Sequence, residues 1–66
     1  MTNIDKSILE YVGERDEPPT EQEIVDAVAP RPKNHASYAL VLMRIQSLQR
    51  KGELYSPSGP TRYDRP

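Results

Sequence analysis

The side chains with the clearest chemical potential are hydrogen-bond donors and cations in the second half of the chain. Residues 30–66 carry seven Lys and Arg against two carboxylates, a net charge of +5, whereas residues 1–29 carry two against eight, a net charge of −6. The candidate donors are Arg31, Lys33, His35, Ser37, Gln46, Arg50, Lys51, Arg62 and Arg65. Such residues bind phosphates and base edges, and this asymmetry of charge indicates a polyanionic partner. Attraction between the two oppositely charged halves is the alternative explanation.

Catalytic or metal-binding chemistry has no comparable set of residues. The chain has no Cys, a single His at position 35, and three glycines that are spread along it. Thiolate metal sites, His-rich metal sites and Gly-rich phosphate loops are therefore not expected. The adjacent carboxylates Asp16 and Glu17 lie in a charged connector, where we expect water to solvate them. We expect a binding protein that is not an enzyme and uses no cofactor, metal or small-molecule substrate.

Length and hydropathy limit the size of the core. The chain has 66 residues, of which 35% are hydrophobic, so we expect one small domain of marginal stability. No apolar run approaches the ~20 residues that a membrane span needs, and no signal-peptide pattern opens the chain. We expect a protein without a membrane partner, cytoplasmic, and associated with the nucleoid if it binds DNA.

Apolar spacing and capping residues predict the first two helices, at about 3–13 and 20–29. In the first, Asn3 is the candidate N-cap and Gly13 the candidate terminator. Its apolar stripe at helical period comprises Ile4, Ile8, Leu9 and Val12. Before the second, Thr20 and Glu23 have the spacing of a capping box, and Pro30 ends that helix.

A third helix and a hairpin are predicted in the rest of the chain. The helix covers about 35–51, capped by Asn34 or Ser37 and ended by Gly52. Residues 53–56 and 61–64 are strand-like and are separated by a proline-rich turn, which places a β-hairpin at about 53–65. Because an isolated two-stranded hairpin is unstable in water, Leu54 and Tyr55 should pack on the helices. We expect Tyr63 to pair with Tyr55 across the hairpin rather than to stack on a base.

The order of these elements predicts the fold class. Three helices, a short turn between the second and third, and a two-stranded hairpin indicate a mainly α domain over residues 1–66, a three-helix winged helix-turn-helix. On the third helix the predicted core stripe comprises Tyr38, Val41, Ile45 and Leu48. The opposite face is the one that such a fold offers to the major groove of DNA.

The outward face of the third helix allows three interpretations. Gln46 and Arg50 could contact bases or phosphates. The same ridge has the alternating spacing of three and four with which a helix packs against a symmetry mate. The candidate partner or dimer face comprises Ala36, Ala39, Leu40, Leu42 and Met43. A face without a partner, selected for helix propensity alone, is the third possibility.

The segment Leu48–Tyr55 resembles the end of the recognition helix and the start of the wing in winged-helix proteins. Ile45 and Val41 match the apolar positions one and two turns earlier. Residues 52–57, followed by Gly59 and Tyr63, are similar to the wing of the C-terminal winged-helix domains of archaeal minichromosome-maintenance helicases and of small archaeal and phage regulators. The helicase motor is absent from this chain. The resemblance implies a DNA-associated or protein-docking module.

Together these patterns predict binding of double-stranded DNA by a dimeric transcription regulator, through the third helix and the wing. The alternative is a protein-interaction or oligomerisation module of the same fold with little affinity for DNA. The two differ in their response to salt, because only the first depends on neutralising phosphates.

Overall fold

Three α-helices make up most of the structure, a computed structural model that describes residues 3–57 and 62–66. They are α1 (Asn3–Glu14), α2 (Glu21–Val28) and α3 (His35–Arg50). The predicted mainly α class with three helices is confirmed, and each helix begins and ends within one residue of its predicted bounds. Gly13 does not end α1, which continues through it to Glu14.

Capping boxes fix the start of both α2 and α3. The N–H of Glu23 donates to Thr20 Oγ1 at 3.2 Å, and the N–H of Thr20 donates to Glu23 Oε1 at 3.0 Å. At α3 the N–H of Ser37 donates to Asn34 Oδ1 at 3.1 Å, and the N–H of Asn34 donates to Ser37 Oγ at 2.9 Å. Each pair satisfies amide groups that the first turn of a helix leaves without a partner. The Thr20 box is confirmed, and Asn34 and Ser37 act together at α3.

The core lies where the three helices meet the C-terminal segment. Its buried hydrophobic residues are Ile8, Val12, Ile24, Val25, Ala29, Val41, Ile45, Leu48, Leu54 and Tyr63. Three of the four residues in the predicted stripe of α3 are buried there, and Tyr38 packs against them while remaining partly exposed. One side of α3 is thereby fixed against α1 and α2.

An ion pair between a buried carboxylate and a partly exposed guanidinium joins α1 to α3. Asp5 is fully buried, and its Oδ1 and Oδ2 accept hydrogen bonds from Nε and Nη2 of Arg44, each at 2.6 Å. This hydrogen bonding to Asp5 raises the pKa of Arg44. The bidentate geometry matches the planar guanidinium to the carboxylate, so the pair sets the position of α3 relative to α1 as well as holding the charges.

The C-terminal segment, residues 62–66, lies between the residues that follow α3 and the start of α2. Gly52 has φ of 81° and ends α3 as predicted, because this left-handed conformation favours glycine. Tyr55 and Asp64 form an antiparallel bridge with two hydrogen bonds of 2.9 Å, and Thr20 forms another with Arg62. Residues 62–64 therefore lie between residues 54–55 and the start of α2. Within the described residues these are isolated bridges, and most of the turn of the predicted hairpin lies outside them.

The positions of Tyr55 and Tyr63 differ from the expected arrangement. The expected pairing of Tyr55 with Tyr63 is wrong, because the residue bridged to Tyr55 is Asp64. Successive side chains in extended backbone point to opposite sides. Leu54 is buried as expected, whereas Tyr55 is 45% exposed instead of packing on the helices.

Candidate nucleic-acid interface on α3

Helix α3 differs in charge from the two helices that it packs against. Its sixteen residues include no Asp or Glu, while α1 and α2 contain three carboxylates each. The side of α3 opposite the core, which we call the outer face, comprises Ala36, Ala39, Met43, Gln46 and Arg50, all of them exposed. An anionic partner approaching this face therefore meets no carboxylate of α3 itself.

Polar and cationic side chains lie at both ends of the outer face. Arg31, in the turn that leads into α3, and His35, at its first residue, are exposed at one end. Arg50 and Lys51 are exposed at the other. Arg and Lys side chains can donate hydrogen bonds to anionic oxygens, and the small side chains of Ala36 and Ala39 leave room between the two ends.

Two depressions flank this helix. A groove of about 550 Å³ lies between α2 and α3. Its lining is formed by Glu21, Gln22, Val25, His35, Ala36, Tyr38, Ala39 and Leu42. A second depression of about 490 Å³ at the C-terminal end of α3 is lined by Gln46, Gln49 and Arg50. The groove between α2 and α3 brings the predicted donor His35 close to three residues of the predicted partner face, Ala36, Ala39 and Leu42. The second depression places Gln46 beside Arg50.

A tyrosine and a carboxylate meet at the α2 end of the site. The hydroxyl of Tyr63 donates to Glu21 Oε2 at 3.4 Å. Burial, followed by the negative charge of Glu21, raises the pKa of Tyr63. Tyr63 therefore anchors the C-terminal segment against α2, and its ring is buried in the core instead of being available to stack on a base.

Four of the predicted nucleic-acid residues have other contacts in the structure. Ser37 is buried in the capping box of α3. Lys33 Nζ donates to the backbone oxygen of Asp26 at 2.7 Å, near the C-terminal end of α2. Arg62 Nη1 donates to the backbone oxygen of Pro18 at 2.7 Å. The fourth, Arg65, lies against Gly13 of α1.

Arg65 lies at α1 rather than at the outer face of α3. Its Nη1 is so close to Gly13 that a Cβ on that glycine would be 2.8 Å away. The neighbouring atoms all belong to the side chain of Arg65, which is exposed and flexible, so a larger residue at position 13 would only displace this side chain. The other predicted nucleic-acid residues lie on α3 or directly beside its ends: Arg31, His35, Gln46, Arg50 and Lys51.

The predicted partner face is exposed at most of its positions. Met43 is 65% exposed and Leu40 is 41% exposed, although both side chains are large and apolar. Leu42 is the exception, because it is partly buried against the core and lines the groove beside α2. Leu40 and Met43 are three positions apart, so their side chains are neighbours on the helix surface.

The Asp5–Arg44 pair was not foreseen from the sequence, although a signal for it existed. Asp5 stands three residues before Ile8 and seven before Val12, on the buried stripe of α1. Arg44 stands next to Ile45 on the buried side of α3. A charge on each of two apolar stripes predicts a buried ion pair, since neither charge is stable there alone.

Comparison with family models, with curated proteins and with solved structures found no match to this chain. In the part of the chain that the structure describes, no cluster of three or more His, Asp or Glu side chains could hold a metal ion. None of the helices in residues 3–57 and 62–66 combines the length and the apolar content needed to span a membrane. The function must therefore be argued from the residues of α3 and their surroundings.

Proposed function

We propose that this protein binds double-stranded DNA through the outer face of α3 and acts as a small transcription regulator with no enzyme activity. The observation that carries the proposal is the charge of α3. The helix has no carboxylate in a chain that contains ten, its outer face is exposed, and Arg31, Arg50 and Lys51 lie at the two ends of that face. Such a surface is complementary to a polyanion.

A winged helix-turn-helix is the fold that we propose for this function. In its support, α2 and α3 are joined by residues 29–34 only, and α3 packs on both other helices through one side. This leaves the opposite side of α3 free to enter a major groove. The bridges of residues 62–64 to Tyr55 and Thr20 support a hairpin in which the predicted wing would contact the DNA backbone.

The charges of α3 also bear on the expected dimer. An antiparallel pair formed through two outer faces would bring Arg31 of one copy towards Arg50 and Lys51 of the other. A parallel pair would bring each cation towards its own equivalent. Neither arrangement supplies a carboxylate from α3, so repulsion opposes both. We therefore expect a dimer, if one forms, to use a different surface from the one that binds DNA.

The expected binding is modest and depends strongly on salt. Three phosphate contacts, from Arg31, Arg50 and Lys51, would weaken binding roughly 500-fold for a tenfold increase in salt concentration. Carboxylates of α1 and α2 flank this surface, and Glu21 lines the groove beside Ala36 and Ala39, so their repulsion of phosphates lowers the expected affinity.

The test is a fluorescence-anisotropy titration of a short mixed-sequence duplex at low salt. The wild-type protein should bind. Arg50→Glu and Lys51→Glu, made as separate variants, should each weaken binding at least tenfold. Lys6→Glu is the matched control, because it makes the same change of net charge at an exposed position of α1. Absence of binding by the wild type, or equal effects of Lys6→Glu and Lys51→Glu, would overturn the proposal.

Protein docking is the second candidate function, and it is favoured by the exposed apolar side chains of Leu40 and Met43. Association through these groups would bury apolar area and would be little weakened by salt. A Met43→Glu variant that loses a salt-insensitive association, in a protein that does not bind duplex DNA, would support this candidate instead.

A further inference from the structure

The outer face of α3 separates into an apolar part and a polar part. Its first three positions, Ala36, Ala39 and Met43, have no side-chain hydrogen-bond donor or acceptor apart from the weakly accepting thioether sulfur. Gln46 and Arg50 supply polar groups only in the last turn and a half. Met43 is 65% exposed, so an apolar side chain occupies the middle of the surface that we propose enters the major groove.

An apolar surface restricts what it can contact favourably in DNA. Most groups on the floor of the major groove are hydrogen-bond donors or acceptors, and covering them with Ala and Met would remove their water without replacing their hydrogen bonds. The exception is the methyl group on C5 of thymine, which is apolar and projects into the groove. The same methyl group is present in 5-methylcytosine.

We infer that the outer face of α3 recognises the C5-methyl groups of pyrimidines in the major groove, with Ala36, Ala39 and Met43 as the contacting residues. This inference rests on the proposed DNA binding and adds the chemistry that is recognised. The terminal cations hold the DNA backbone on either side of this contact, and α3 adds no carboxylate to it. Glu21 of α2 lines the groove beside Ala36 and Ala39, so the DNA must approach from the side of Met43. Met43 suits the contact because its flexible, polarisable side chain adapts to irregular apolar surfaces.

The main experiment compares duplexes that differ only in these methyl groups. Anisotropy titrations use alternating dA–dT against alternating dA–dU, and alternating dG–dC against the same duplex with 5-methylcytosine. Burying one methyl group should change the dissociation constant about fourfold. We expect tighter binding to the thymine duplex than to the uracil duplex, and tighter binding to methylated than to unmethylated cytosine. A preference in only one pair would assign the recognised source to thymine or to 5-methylcytosine.

Protein variants separate contact with the methyl group from effects of methylation on DNA shape. Met43→Gln and Ala39→Ser place a polar group on the outer face and should reduce the preference for thymine over uracil to less than twofold. Ala27→Ser is the matched control, since Ala27 is exposed on α2, away from this face. Thermal unfolding of each variant checks that the fold is retained.

The possible results distinguish recognition of methyl groups from DNA binding in general. Salt-dependent binding with equal affinity for the methylated and unmethylated member of both pairs would overturn the inference while leaving DNA binding intact. A preference that persists unchanged in Met43→Gln and Ala39→Ser would overturn it as well. Failure to bind any of the four duplexes at low salt would overturn both.

Discussion

The two sides of α3 carry apolar residues of similar size but have different surroundings. Val41, Ile45 and Leu48 on the inner side are fully buried, and Arg44 beside them is paired with Asp5. Met43 on the outer side is more than half exposed, although its side chain is also large and hydrophobic. Apolar composition alone therefore does not distinguish the residues of α3 that stabilise the fold from those that are exposed to a partner.

The largest expected effect concerns the ion pair on the inner side. Asp5→Ala removes the fully buried carboxylate that holds the partly exposed guanidinium of Arg44 against α1, so the free energy of unfolding should fall clearly. Chemical denaturation followed by circular dichroism measures the loss. Asp16→Ala, at an exposed position of the connector, should change stability by less than about 0.5 kcal/mol. Equal losses in the two variants would mean that the inner side does not depend on this pair.

The next comparison truncates one apolar residue on each side of α3. Ile45→Ala should reduce the free energy of unfolding by about 2–5 kcal/mol, because it removes buried methyl groups and leaves a cavity. Met43→Ala should change it by no more than about 0.5 kcal/mol. Denaturant titrations of both variants check the difference. A large loss of stability in Met43→Ala would show that its side chain packs within the protein.

A smaller effect is expected where α3 begins. Asn34→Ala removes the acceptor for the N–H of Ser37 and should cost about 1 kcal/mol of unfolding free energy. Asn34→Ser retains a capping oxygen and should be close to the wild type. Thermal or denaturant unfolding distinguishes them. If the two variants are equally stable, the capping box does not determine the start of α3.

The smallest expected effect is a pH dependence at α2. The hydrogen bond from the Thr20 N–H lowers the pKa of Glu23, so the ionised carboxylate stabilises the folded state. This contribution is complete above the unfolded-state pKa of about 4.3 and is lost as the pH falls through the lowered folded-state pKa. Glu23→Gln retains a capping group that does not titrate. Wild type should therefore lose stability relative to Glu23→Gln on acidification, and a pH-independent difference would contradict this.

Local signals in the sequence were sufficient to predict the helices and their ends. The Thr20–Glu23 spacing, the cap at Asn34 and the terminator Gly52 each act through hydrogen bonds or backbone angles of nearby residues. The buried stripe of α3 followed from helical periodicity for the same reason. These features depend on residues within one or two turns, which a single sequence displays directly.

Contacts between distant residues could not be predicted in the same way. Asp5 and Arg44 are 39 positions apart. They belong to the acidic and the basic half of the chain, and nothing in that division indicates that these two residues form an ion pair between α1 and α3. The roles of Arg62 and Arg65 depended likewise on where the C-terminal segment crosses Pro18 and Gly13. The sequence identifies these side chains as long and cationic, but it does not show which distant part of the backbone each one contacts. The candidate site was therefore predicted best on α3 itself.

Nuclear magnetic resonance can test residue by residue whether the outer face of α3 binds duplex DNA. Amide chemical shifts of the ¹⁵N-labelled protein are followed while a short duplex is added at low salt. We expect the largest changes in chemical shift on addition of the duplex at five residues, and we expect these changes to diminish as salt is added. The five residues are Arg31, His35, Ala39, Met43 and Arg50. Shifts concentrated on the acidic surfaces of α1 and α2, or no shifts at all, would contradict it.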